Sequence, residues 1–219
     1  MMYFHSRAEA GEQLARDMLD KYRYDDVAIV ALNDGGVAVG EPIAERLHCI
    51  LTLLVSETID IPGENQLFGA VSQTGQFTYN NNLAPIEARE YTTELYGYLE
   101  EQKRQALHKI NQLIGDGGVI DKTLLRDRTI ILVSDGLSDL MIIDVAMDFL
   151  KPIRFNKLVI ATPIASVEIV DRVHIIADEL HIIDVKDNYL NTNHYYDQND
   201  LPKHEDVIKK INQIILNWR

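Results

Sequence analysis

The sequence of 219 residues holds one cysteine, Cys49, so an internal disulfide and a cysteine-built zinc site are both excluded, as suits a reducing compartment. Cys49 falls between His48 and Ile50, where a helical pattern gives way to a strand, and a buried structural thiol is expected there rather than a nucleophile. Basic residues are also scarce: 21 Lys and Arg face 34 Asp and Glu, a formal charge of −13. Non-specific nucleic-acid binding and anionic-membrane binding both need an excess of Lys and Arg, so neither partner is expected. The same balance disfavours free polyphosphate ligands unless metal ions or a local basic cluster intervene. There is no apolar run of the ~18 residues that would span a bilayer, and the start, Met1 to Arg7, lacks the apolar region of a signal peptide. A cytoplasmic location is the expectation. The seven histidines are scattered, and none shows the helical i, i+4 spacing with an acidic neighbour that marks a metal site. His174 and His181 are expected to be structural, and no metal ligands are assigned.

The apolar fraction of 46% and the charged fraction of 25% are ordinary for a globular chain. No repeat, low-complexity tract or linker interrupts it, so 1–219 is expected to be one domain. Ser6 and Glu9 have the spacing of a capping box ahead of a helix through Leu14, Ala15, Met18 and Leu19. Val27 to Leu32 reads as a buried strand and Asn33-Asp34-Gly35-Gly36 as a turn. Val37, Gly40, Ile43, Ala44 and Leu47 then recur at helical spacing before a second strand, Ile50 to Val55. This strand-turn-helix-strand order implies parallel pairing. Phe68 to Ser72 and Gln76 to Tyr79 flank Gln73-Thr74-Gly75 as a β-hairpin, and Ile86 to Ile114 is a long helical stretch with an apolar stripe of Leu95, Leu99, Ala106, Ile110 and Leu113, ended by Gly115 to Gly118. Residues 62–118 thus form a hairpin and helical insertion.

Thr129 to Val133 is a strand that breaks off at Ser134-Asp135-Gly136 and is followed by a helix around Ile142 to Leu150. A buried parallel strand delivers a loop to a ligand in this way, at its carboxyl end. Leu158 to Thr162 is a strand closed by Pro163, Val167 to Val173 a short helix, and Ala177 to Ile183 a last strand. After a polar stretch from Asp187 to Asp200, Val207, Ile208, Ile211, Ile214, Ile215 and Trp218 outline an amphipathic helix. The fold class is α/β, a mostly parallel sheet flanked by helices with an inserted β-hairpin and long helix.

Two familiar motifs do not fit. Asp34 to Gly40 joins a strand to a helix, but its glycines lack the G-x-G-x-x-G spacing of a dinucleotide site. Its Gly-Gly turn could still present N–H groups to an anion, with Asp34 repelling it. Around Ser134, the serine elbow G-x-S-x-G would need a small residue where Leu132 stands.

Four stretches in order resemble the type I phosphoribosyltransferases, in particular small stand-alone bacterial members. They are Ala31 to Gly36, Pro62 to Val71, Thr129 to Ile142 and Ala161-Thr162-Pro163-Ile164-Ala165, with Ala177-Asp178-Glu179 and His194-Tyr195-Tyr196-Asp197 similar to the closing segments. The resemblance spans roughly residues 4 to 200. It implies a phosphoribosyltransferase-like fold, a homodimer, and a site for phosphoribosyl diphosphate with Mg²⁺ and a nucleobase. Asn33, Asp34, Gly35 and Gly36 would face the diphosphate; Ser134, Asp135, Gly136, Leu137, Ser138 and Asp139 would form the ribose-phosphate loop, with Asp135 as the catalytic acid.

The chemistry at those positions has changed in one direction. The family's paired acids have become Ser134 and Asp135, and its Thr-Gly-x-Thr phosphate turn has become Asp139-Leu140-Met141-Ile142. A carboxylate there would repel a phosphate by about 4 kcal/mol per charge pair at ~4 Å and an effective dielectric of 20. The family's arginine before the Gly-Gly pair is replaced by Asp34, and Ser56-Glu57-Thr58 stands where a basic residue is expected. The expectation is a phosphoribosyltransferase-like protein with lost or much weakened transfer, acting through ligand or partner binding at the old cleft. The alternative is an active transferase with a rearranged site.

Overall fold

The computed structural model describes residues 3–115 and 120–217. Trp218 and Asp116 to Gly118, to which the sequence pattern gave a role, lie outside the described residues, as does the side chain of Ile215. The chain divides into two compact units, residues 1–53, 120–139 and 153–219 forming one and residues 54–119 and 140–152 the other.

The larger unit is built on a parallel sheet of order β2 (Ile50–Leu53), β1 (Val27–Ala31), β6 (Thr129–Val133), β7 (Lys157–Ser166) and β8 (Glu179–Lys186). Its central strands, β1 (Val27–Ala31) and β6 (Thr129–Val133), are buried at every residue, which is why each reads as an unbroken apolar run rather than an alternation. β2 (Ile50–Leu53) pairs β1 through the crossover helix α2 (Asp34–Leu47). Asn33 is the N-cap of α2, so Asp34, Gly35 and Gly36 are its first turn and not the tight turn expected from the Gly-Gly pair. α1 (Arg7–Tyr22) starts at the Ser6 cap, whose hydroxyl accepts from Glu9 N–H, while the Glu9 carboxylate reaches back to the N–H of His5. α1 lies against α2, β7 and β8.

β7 (Lys157–Ser166) does not stop at Pro163. Its ladder with β8 (Glu179–Lys186) steps from Thr162↔Ile182 to Ile164↔Asp184 and leaves the proline out, so no donor is missed. α6 (Val167–Ile176) packs on both strands and leaves His174 exposed. α7 (His204–Asn217) buries Val207, Ile211 and Ile214 and lies against α2 and β2. The segment from Asp187 to Asp200, polar by composition, contributes buried Tyr195 and Tyr196 to a cluster with Phe4, Ala10 and Ile164.

In the smaller unit the expected hairpin, β4 (Leu67–Ser72) and β5 (Phe77–Tyr79), gains a third antiparallel strand, β3 (Ser56–Asp60). β3 is polar except for buried Ile59, which hid it. The long helical stretch is two helices, α3 (Pro85–Glu94) and α4 (Tyr96–Ile114), broken at Leu95. α4 buries Leu99, Ala106, Ile110 and Ile114. α5 (Met141–Leu150) packs near β4 and β5, with Thr78 Oγ1 donating to Asp148 at 2.8 Å. Among the described residues, no helix is long and apolar enough to cross a membrane.

Candidate active site: a cleft closed on an internal ion pair

The carboxyl ends of β1 and β6 are stitched together before any ligand is considered. Leu32 N–H donates to the Val133 carbonyl at 2.9 Å. Asn33 caps α2 by accepting from Gly36 N–H at 2.6 Å and donates its amide to Ser134 Oγ at 3.3 Å. The two glycines are demanded by this approach: a Cβ at Gly36 would stand 2.6 Å from the Val133 carbonyl oxygen, and one at Gly35 would stand 2.1 Å from Asp135 Oδ2. The Asp135 carboxylate therefore sits against the start of α2, the end of a helix that favours negative charge.

Its partner comes from the other end of the sequence. Arg7, the first residue of α1, turns inward and donates from Nε to Asp135 Oδ2 at 2.7 Å, with the two side chains 1% and 5% exposed. The same guanidinium donates to Asp200 Oδ1 at 3.1 Å and to Asn193 Oδ1, and lies 4.5 Å from the centre of the Tyr196 ring. Burial works against the Arg7 charge, but Asp135 and Asp200 outweigh it and hold the guanidinium more firmly protonated than usual. Tyr196 donates its hydroxyl to the Asp135 carbonyl at 2.6 Å, and burial followed by the Asp135 charge raises its pKa. Tyr189, pushed up to about 12 chiefly by burial, shares a 2.9 Å hydrogen bond with Thr192 across the face of Gly136.

These groups border a cleft of about 320 Å³ lined by Asn33, Asp34, Gly35 and Asp135 together with Arg7, Thr192, Asn193 and Leu201. Asp34 is engaged by His204 Nδ1 at 2.8 Å. Gly36 and Ser134 lie just behind the wall. Ser134 Oγ donates to the Gly136 carbonyl at 2.9 Å, an environment for a structural hydroxyl rather than an activated one.

Beyond Gly136 the loop leaves the cleft. Leu137 is buried and pairs with Ala165 as one more rung of parallel sheet, its N–H donating to Ile164 O and its carbonyl accepting from Ser166 N–H, both at 3.0 Å. Ser138 and Asp139 are exposed, and neither lines the cleft. The N–H groups of Ser134, Gly136 and Leu137 go to Ala161 O, Ser134 Oγ and Ile164 O respectively, three different directions.

A magnesium ion needs carboxylates that can turn toward it and accept its near-octahedral geometry. Here Asp135 is held by Arg7 and Asp34 by His204. Among the described residues no group of three or more His, Cys, Asp or Glu side chains could hold a metal ion.

The sequence pointed to Asp135 and the Asn33 to Gly36 stretch but not to Arg7, Asn193, Asp200 or His204. One signal for Arg7 was present: a cation in the first turn of a helix opposes the helix dipole, so it needs acids of its own.

No family model matches the chain. Two curated proteins of Mycobacterium tuberculosis, from strains CDC 1551 / Oshkosh and ATCC 25618 / H37Rv, each bearing the name "Putative phosphoribosyl transferase", are 26% identical over 181 residues. The match covers 82% of this chain and 40% of theirs, so the chain spans well under half the length of these relatives. Among solved structures, TT1426 from Thermus thermophilus aligns over 99% of both chains with a TM-score of 0.73 and 24% identity, a likeness of fold. The chain is thus similar in sequence to these two phosphoribosyl transferases over most of its length, and its five-stranded parallel sheet carries two strand-end loops at the matching positions.

Proposed function

We propose that phosphoribosyl transfer is lost or much weakened in this protein, and that it acts by binding a small polar ligand, neutral or cationic, at the cleft beside Asp135. One observation carries the reading: the acid that would meet a ribose is buried in an ion pair with Arg7. The loop that would wrap a phosphate supports it, since the Leu137 main chain is spent on β7. An anionic sugar phosphate would have to displace Arg7 from Asp135 and then lie beside Asp34 and Asp135, a double penalty of lost pairing and like-charge repulsion. A neutral or cationic ligand avoids that repulsion.

An endpoint assay tests the loss. Protein at high concentration, with phosphoribosyl diphosphate, Mg²⁺ and each common nucleobase, is expected to release no diphosphate. Release with any base would overturn the reading in favour of an active transferase in which Asp135 binds the ribose. The homodimer and the cytoplasmic location that go with the resemblance are part of this proposal, and sedimentation tests the first.

A further inference from the structure

A second cleft, of about 490 Å³, lies wholly within the smaller unit, walled by Tyr79 at the end of β5, by Leu83 and by one face of α3. That face consists of Pro85, Ala88, Arg89 and Thr92, the i, i+3, i+4, i+7 positions that a helix normally presents to a core. Three of the four are small, so the face leaves space where a leucine-bearing one would fill it. α3 buries none of its residues, and its one large aliphatic side chain, Ile86, points elsewhere and is 71% exposed. Ten residues make a marginal helix unless an inner face is packed. α3 touches α4 and is otherwise held at its ends: Glu87 accepts from Ala84 N–H, and Tyr91 donates to Glu64.

The opposite wall is aromatic. The Tyr79 ring stands edge-on to Phe77 at 4.9 Å and to Phe68 at 5.5 Å, yet stays 46% exposed. It is an aromatic surface packed on two neighbouring rings and left uncovered. Among the described residues no acidic side chain pairs with the Arg89 guanidinium, although acids outnumber bases 34 to 21 in the chain. With Asn80 and Asn81 completing the lining, the space combines apolar and aromatic surface with a few polar groups and one unpaired guanidinium, the composition of a small-molecule site. We propose that this cleft binds a small molecule with a flat apolar body and a single anionic group, the ring lying against Tyr79 and Leu83 and the anion on Arg89. The site is independent of the Asp135 cleft and of what happens there.

The probe is 8-anilinonaphthalene-1-sulfonate, which has that shape and charge, titrated into the full chain and read by fluorescence. Its uncharged counterpart, N-phenyl-1-naphthylamine, serves as control. The expected result is one saturable site in the wild type. Arg89→Gln should weaken the sulfonate by about tenfold or more, the range of one charge-assisted hydrogen bond, and leave the uncharged probe unchanged. Ala88→Trp should abolish binding of both by filling the space. Thr92→Trp, one turn on, replaces it if thermal melts reveal a disturbed fold. Absence of saturable binding, an Arg89→Gln affinity equal to wild type, or full binding to both filled variants would overturn the proposal.

Discussion

Arg7 and Asp135, 128 residues apart in sequence, form a buried ion pair with Nε and Oδ2 2.7 Å apart. Arg7→Met would leave Asp135 charged, buried and unpaired, and breaking such a pair costs about 3–5 kcal/mol. Urea unfolding at pH 7 should show a loss of that order. Arg7→Met combined with Asp135→Asn should recover a good part of it, because no uncompensated charge remains. Additive losses in the double variant would show that the two side chains do not act as a pair.

Gly35 is coupled to the same carboxylate. A methyl group there would stand 2.1 Å from Asp135 Oδ2, so Gly35→Ala must push Asp135 off Arg7. The expected cost is about 2–4 kcal/mol, drawn from overpacking and a weakened ion pair. Asp135→Ala should remove most of the added penalty, and a thermal-melt double-mutant cycle checks it. A Gly35→Ala protein as stable as wild type would place Asp135 elsewhere.

What could be read in advance follows from how local each signal is. Val27 to Ala31 and Thr129 to Val133 declare themselves because central parallel strands are buried on both faces. The Ser6 and Glu9 pair marks its helix start through bonds that span only a few residues. β3 has no such signal because Ile59 is its one apolar, buried residue, so apolar periodicity is absent there. The break at Leu95 carries no proline or glycine of its own, and β7 passes Pro163 because its ladder happens to skip that position. At the site, Asp135 and Gly35 were legible from the strand-end loops. Arg7, Asn193 and Asp200 were not, since nothing in a helix start or an Asn-rich segment says that they meet across the domain.

Acid should destabilise the fold through the foot of β8. Burial alone would raise the Glu179 carboxyl, but donors from Lys157, Lys21 and Tyr22, with His181, outweigh it and hold it at about 2 against an ordinary 4.5. The folded state therefore favours the carboxylate. Its stabilisation is complete above pH 4.5 and is lost as the pH falls toward 2, a contribution of about 1–3 kcal/mol once the exposure of Lys21 is allowed for. His181 adds to this from a higher pH. Burial lowers it below its usual 6.5, with Glu179 pulling the other way, so stability declines as the unfolded chain takes up that proton below pH 6.5. Unfolding free energies at pH 7, 5 and 3 should fall in that order, and Glu179→Gln should flatten the limb between 5 and 3. An unchanged slope in the variant would assign the acid sensitivity to other groups.

Cys49 is buried, and burial pushes its thiol up to about 12. Reaction with a disulfide reagent at pH 8 should be at least a hundredfold slower in the native protein than in urea, because both the thiolate and access to it are missing. Native reactivity close to the unfolded rate would contradict this burial.

On the proposed function, phosphoribosyl diphosphate has no place to bind. Titration calorimetry of the full chain with phosphoribosyl diphosphate and Mg²⁺ tests it most directly. No saturable heat is expected up to millimolar ligand. Saturable binding in the micromolar range would contradict it, because it would require Asp135 to leave Arg7 and Leu137 to leave β7 at an energy cost that the ligand had repaid.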